Sequence, residues 1–147
     1  MMKPTKIRPL QEHICFSAYT TVHAIQRLYQ PTLAAYQLTY PQYLVLVALY
    51  TAPPRAVPVK FLSTQLNLST GTLTPVLKRM TAAGLITRQR DQQDERSILI
   101  GLTPAGIKTR LALNELPARL TAKGGLDPAE WHQLTTLLNK LMAHLSE

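Results

Sequence analysis

The chain has one cysteine, Cys15, among 147 residues, so it cannot form an internal disulfide. No apolar run approaches the length that spans a bilayer. The opening stretch "MMKPTKIRP" is basic, holds two prolines and has no apolar segment behind it, which argues against a secretory leader. The expected compartment is therefore the cytoplasm, where Cys15 is kept reduced at rest. No internal repeat or low-complexity tract interrupts the chain. The histidines (His13, His23, His132 and His144) lack close ligand spacing, and a single cysteine is too few for a thiolate centre, so no metal or cofactor site is expected. Acidic residues are scarce: 8 Asp+Glu face 16 Lys+Arg, leaving a net charge of +8. That excess favours a polyanionic partner, most commonly nucleic acid.

What is present suits a single domain, with 46% hydrophobic residues to form a core. Residues 9–30 read as a long helix. Pro9 suits its first turn and Glu12 its positive end. Leu10, Ile14, Ala18, Val22, Ile25 and Tyr29 make one apolar face, and Pro31 is expected to stop it. In "TYPQYLVLVALYTA", Pro41 fits a first turn with Thr39 or Tyr40 before it. The apolar run from Tyr43 to Tyr50 predicts a central buried helix. "PPRAVP" (53–58), with three prolines in six residues, is expected to be irregular.

Residues 59–84 read as two helices joined by a tight turn at Asn67–Ser69, a helix-turn-helix candidate. Leu62 and Leu66 face inward on the first helix. Leu73, Val76, Leu77 and Met80 form the inner stripe of the second, which Ser69 caps and Gly84 stops. Pro75 falls inside that second helix at the cost of a hydrogen bond; the alternative starts the helix there, with Thr74 as cap. "LITRQRDQQDERSILIGLT" (85–103) then reads as a β-hairpin with a solvated tip, and a hairpin directly after a helix-turn-helix is a winged helix. Thr103-Pro104 starts a further helix running towards Lys123, with a kink at Pro117. Asp127, Pro128 and Glu130 start the last, close to a capping box. Its stripe of Leu134, Leu137, Leu138, Leu141 and Leu145 serves either the chain's own core or, the favoured expectation, a dimer interface.

The expected architecture is mainly α with a small β-hairpin. This order of elements resembles the MarR family of bacterial regulators. "DERSILIGLT" (94–103) is similar to that family's wing signature, and "GLITR" (84–88) to the stretch that enters the wing. "TYPQYLVLVAL" (39–49), "STGTLTPVLKRM" (69–80) and "RDQQDERSILIGLT" (90–103) look like the organic hydroperoxide resistance regulators, a branch of the same family. The resemblance implies dimerisation helices at 1–36 and 104–147 around a DNA-binding core at 37–103. It implies a repressor rather than an enzyme, and a homodimer on a pseudo-palindromic operator in double-stranded DNA. It places a redox-active cysteine at Cys15, accompanied by Tyr19, Tyr29 and Tyr40. The branch's two-cysteine members carry a resolving cysteine near the last helix. Here that region reads "GGLDPAEW", so the chain resembles the one-cysteine type. Sulfenic acid at Cys15 would then be captured by a low-molecular-weight thiol or a backbone nitrogen, or be oxidised further.

A peroxide is attacked by thiolate, and an ordinary thiol with a pKa of about 8.5 is only a few per cent ionised at neutral pH. If the helix starts at Pro9, Cys15 lies too far in to feel its dipole strongly. Gln11, Glu12, Ala18 and Tyr19 surround it one turn away; none is cationic, and Glu12 opposes ionisation. Phenol donors are the remaining local help. Tyr19 sits at i+4. Tyr29, fourteen residues on, is roughly 21 Å away along the same helix, so it can meet Cys15 only from another subunit. Buried core cysteines and core or interface tyrosines are the ordinary alternatives.

The N-terminal part of the second helix-turn-helix element would enter the major groove, presenting Thr70, Gly71, Thr72 and Pro75 towards base edges, with the capping Ser69 among the DNA-binding residues. Lys78 and Arg79 suit phosphates. On the wing, Arg96 suits an A·T minor groove, with Asp94 orienting its guanidinium, while Arg88 and Arg90 extend the basic edge. Two rivals remain. A thiol peroxidase built on Cys15 lacks the expected proline and threonine upstream, where Arg8 and Glu12 stand. A regulator driven by a bound small aromatic effector would need no thiol chemistry.

Overall fold

A computed structural model of the protein describes residues 7–53 and 56–146. Residues 1–6, and Pro54 and Arg55 of the proline-rich stretch, lie outside the described residues. The elements, in order, are a 3-10 turn at Leu10–Glu12, α1 (Ile14–Ala35), α2 (Tyr40–Thr51), β1 (Val57–Pro58), α3 (Val59–Leu66) and α4 (Thr70–Ala82). Then come β2 (Ile86–Arg90), β3 (Ile98–Leu102), α5 (Pro104–Ala112), α6 (Leu116–Lys123) and α7 (Pro128–Leu145). They form two compact units, Met1–Leu113 and Asn114–Glu147.

In the first unit α2 is the hub, packing against α1, α3, α4, α5 and β3. Thr39 opens it with a reciprocal capping box: its hydroxyl accepts from Gln42 N–H, and the Gln42 amide oxygen accepts from Thr39 N–H. Val45, Leu46 and Leu49 are buried along it. The α3–α4 turn closes with Asn67 in the left-handed region at φ 50°. Leu68 N–H bonds back to the Ser63 carbonyl at 3.1 Å. An Asn tolerates that φ better than a branched residue. Leu62, Leu73, Val76, Leu77 and Met80 all face the core as the periodicity requires, and α4 runs through Pro75.

Four expectations need correction. The first helix begins at Ile14, not Pro9, because residues 10–12 form a separate 3-10 turn and His13 is extended at φ −87°, ψ 119°. It then continues through Pro31 to Ala35. Proline costs such a helix about 3 kcal/mol. Full burial of Leu33 and Tyr29 beside it offsets that cost, at roughly 1.5–3 kcal/mol per large apolar side chain. Third, the proline-rich stretch is not wholly irregular: Val57 and Pro58 pair with Ile100 and Leu99 of β3, giving a three-stranded sheet in the order β1-β3-β2. Pro58 is tolerated because β1 is an edge. Fourth, the stretch after Thr103 is two helices. Pro117 lies in the first turn of α6, where its missing N–H costs nothing, so it starts a helix rather than kinking one.

In the second unit, Asp127 and Glu130 form the capping box that opens α7. Helix α7 has no buried residue; Leu134, Leu137, Leu138, Leu141 and Leu145 are all exposed.

Candidate functional site

Helix α4 presents two unlike faces. Its inner stripe is buried, and Ser69, Thr70, Gly71, Thr72, Pro75, Lys78 and Arg79 are all exposed. Ser69 spends its hydroxyl on the helix: it accepts from Thr72 N–H at 3.1 Å and lies 2.9 Å from the Thr72 hydroxyl. The Thr70 hydroxyl has no such partner among the described residues. Arg79 Nε donates to the Pro75 carbonyl at 3.3 Å, which lays its stem along the helix.

The wing pairs Ile86 with Leu102, Arg88 with Ile100 and Arg90 with Ile98. Strand alternation puts Arg88 on the same face as buried Ile86. Its Nε is buried without a hydrogen-bond partner among the described residues, so its stem belongs to the apolar underside of the wing. Arg90 and Arg96 are exposed. Asp94 does not hold the Arg96 guanidinium as expected. Its carboxylate accepts from the Arg96 backbone N–H at 3.1 Å, and Asp91 likewise accepts from Gln93 N–H at 2.9 Å. A carboxylate two residues ahead closes an Asx turn more readily than it reaches a long side chain. Asp94 therefore shapes the tip that carries Arg96.

Cys15 is exposed and is the second residue of α1. The first helical bond into this turn is Ser17 N–H to the His13 carbonyl, at 3.1 Å. The N–H groups of Ile14, Cys15 and Phe16 precede it, and the side chain of the capping His13 accepts from none of them. Cys15 thus stands in the first turn of α1 rather than in the helix interior expected from a start at Pro9, beside backbone N–H groups that no side chain caps. Tyr19 is 65% exposed and turns its ring onto His23, with centroids 4.3 Å apart at 67°. Among the described residues no hydrogen bond joins it to Cys15.

Tyr29 and Tyr40 do come together, around a third tyrosine. Tyr43 lies 5.8 Å from Tyr29 and 6.0 Å from Tyr40, centroid to centroid, and Tyr29 and Tyr40 are 6.1 Å apart. Arg110 of α5 sits 5.6 Å from the Tyr50 ring centroid, and its charge is felt at Tyr43. Tyr43 carried no functional signal in the sequence beyond its place in an apolar run. Burial, and then the neighbouring Tyr43 and Tyr40, push Tyr29 up to about 12. Burial also raises Tyr40 and Tyr43, the latter against the pull of Arg110. All three phenols therefore keep their protons, and their capacity to donate, at neutral pH.

The same shifts predict alkaline behaviour. A tyrosine ionises near pH 10 in the unfolded chain and later in this cluster. The stability it contributes is complete below about pH 10 and is lost as the pH climbs towards the folded value. Phenolate absorbance should therefore show a late component from these residues that coincides with unfolding. A titration complete near pH 10 with the fold intact would contradict the burial. Among the described residues no three His, Cys, Asp or Glu side chains group to hold a metal ion.

Comparison with known proteins places this arrangement. Residues 27–116 match the family described as transcriptional regulator SarA/Rot. The organic hydroperoxide resistance transcriptional regulator of Bacillus subtilis is 36% identical over 94% of this chain and 92% of its own. Reduced AbfR of Staphylococcus epidermidis, solved bound to DNA, is 31% identical with a TM-score of 0.80, covering 94% of this chain and 95% of that one. PcaV of Streptomyces coelicolor, solved with its natural ligand, is 26% identical with a TM-score of 0.83, covering 97% and 100%. The winged helix with its flanking helices, and a match along nearly the whole chain, show that this protein belongs to the MarR/SarA-type family of transcriptional regulators.

Proposed function

We propose that the protein is a cytoplasmic homodimeric repressor that grips a pseudo-palindromic operator while Cys15 is reduced and releases it when an organic hydroperoxide oxidises Cys15. The carrying observation is the position of that thiol, exposed in the first turn of α1 with unclaimed backbone N–H groups around it. The hydroperoxide relative from Bacillus subtilis supports the same reading. The thiolate attacks the terminal peroxide oxygen, the O–O bond breaks, and the alkoxide leaves as an alcohol after taking a proton. Sulfur is oxidised by two electrons to the sulfenic acid. A small thiol then displaces water to give a mixed disulfide, which a second thiol reduces.

Residues 1–36 and 104–147 serve the dimer and 37–103 the DNA. The bare leucine stripe of α7 supports this, because such a stripe needs a cover. Tyr29 stands roughly 21 Å along α1 from Cys15, so the tyrosine cluster of one subunit serves the thiol of the other. Phenols that stay protonated donate to a thiolate; the sulfenic acid and its adducts are poorer acceptors and bulkier. Rearrangement there shifts α1 and spoils the spacing of the two α4 helices. On DNA, Thr70, Gly71, Thr72 and Pro75 face bases, Lys78 and Arg79 face phosphates, and Arg90 and Arg96 follow the minor groove.

The test is operator binding, on fragments selected from a random duplex pool, before and after cumene hydroperoxide and again after dithiothreitol. Release followed by recovery is expected. Binding that ignores the peroxide would favour the second reading, a non-covalent effector. That reading has its own support, since PcaV was solved with a natural ligand.

A further inference from the structure

Gly71 is unusual in what the fold does not ask of it. A Cβ there would meet only the Ser69 hydroxyl oxygen, at 3.9 Å, and its φ is not in the left-handed region. Neither packing nor backbone geometry requires glycine, yet glycine weakens a helix relative to alanine. Its N–H is equally unclaimed. Thr72 N–H is capped by Ser69, but Gly71 N–H has no partner among the described residues. Four residues on stands Pro75, which has no N–H, so the Gly71 carbonyl lacks its α-helical acceptor role. The nearby side chains do not replace that bond: the Thr74 hydroxyl goes to the Thr70 carbonyl at 2.8 Å, and Arg79 Nε to that of Pro75. Positions 71, 75 and 79 fall on one outward line of α4, opposite the buried stripe.

We infer that Gly71 and Pro75 act as one device, in which the bare α4 backbone at Gly71 rests on a base edge in the major groove. Pro75 leaves the Gly71 carbonyl free to accept from an exocyclic amino group of adenine or cytosine, and the missing side chain permits that approach. The pair sacrifices helix stability for sequence discrimination. This deepens the DNA-reading half of the proposed function and rests on it.

Two variants test it, Gly71→Ala and Pro75→Ala, each followed by thermal unfolding and by titration of two duplexes. One duplex is selected by the wild-type protein and the other is of unrelated sequence. Both variants should melt higher than wild type. Both should lose about ten-fold or more in affinity for the selected duplex, the scale of one good base contact. Affinity for the unrelated duplex, which rests on phosphates, should fall far less. A lower melting temperature for Gly71→Ala would mean the fold needs the glycine, and would overturn the inference. So would unchanged affinity for the selected duplex, or equal losses on both. A wild-type protein that selects no duplex refutes instead the DNA-reading function itself, and the inference with it.

Discussion

Cys15→Ser is expected to hold its operator through a hydroperoxide challenge, and the wild-type protein is expected to leave the same DNA under that challenge. Serine keeps the size and polarity of the side chain and suits a first turn, so the fold and reduced-state binding should survive. Its oxygen cannot accept the two-electron oxidation that sulfur does. In the wild type, oxidation should weaken binding about 100-fold, near 3 kcal/mol, at the upper end of ordinary coupling between sites. Gel-shift or anisotropy titrations read both proteins. Equal release by both would move the oxidation elsewhere, to a methionine for example. Retention by both would leave an effector as the trigger. The variant should lose the whole thiol-dependent effect, because Cys15 is the chain's only thiol.

Gly106→Ala should be the most damaging single-methyl substitution in the first unit. Gly106 lies in the first turn of α5, and a Cβ there would collide with the Leu85 carbonyl oxygen, with the Leu102 side chain at 3.2 Å behind it. That carbonyl accepts from Thr103 N–H at 3.1 Å, and the Thr103 hydroxyl donates to the Gly84 carbonyl at 2.6 Å. The start of α5 is thus stitched to the entry of the wing by backbone contact. To admit a methyl, α5 must lift and loosen those bonds. Overpacking costs about 1–3 kcal/mol and each weakened bond about 1, so a loss of roughly 2–4 kcal/mol follows. The melting temperature should fall by roughly 5–15 °C. Gly84→Ala is the control. Gly84 has a φ of +74° but nothing within 4 Å of its missing Cβ, so only the backbone penalty of about 1 kcal/mol applies. If Gly106→Ala melts no lower than Gly84→Ala, the close approach is not what holds α5.

Much of this protein is legible from local chemistry. A cap acts over three residues, so Thr39 with Gln42, Ser69 with Thr72, Thr103 with Gly106 and Asp127 with Glu130 declare their helix starts in the sequence. The inner stripe of α4 is set by periodicity alone. Cys15 as the only thiol, and Tyr29 as a tyrosine that cannot reach it along the same helix, also follow from composition and rise per residue. Contacts distant in sequence decided the rest. Pro31 looks like a helix end until Leu33 and Tyr29 are buried beside it. Val57–Pro58 looks irregular until β3, some forty residues later, offers a free edge. Pro9 looks like a helix start, yet the chain turns once before His13 and begins α1 at Ile14. That shift of a few residues moves Cys15 from a helix interior to a helix end, among backbone N–H groups that lack helical partners. Tyr29 gains its place beside Tyr40 and Tyr43 only because α1 packs on α2. Bonds spanning three or four residues are written in neighbouring letters; burial, and the charge environment it creates, depends on which distant segments meet.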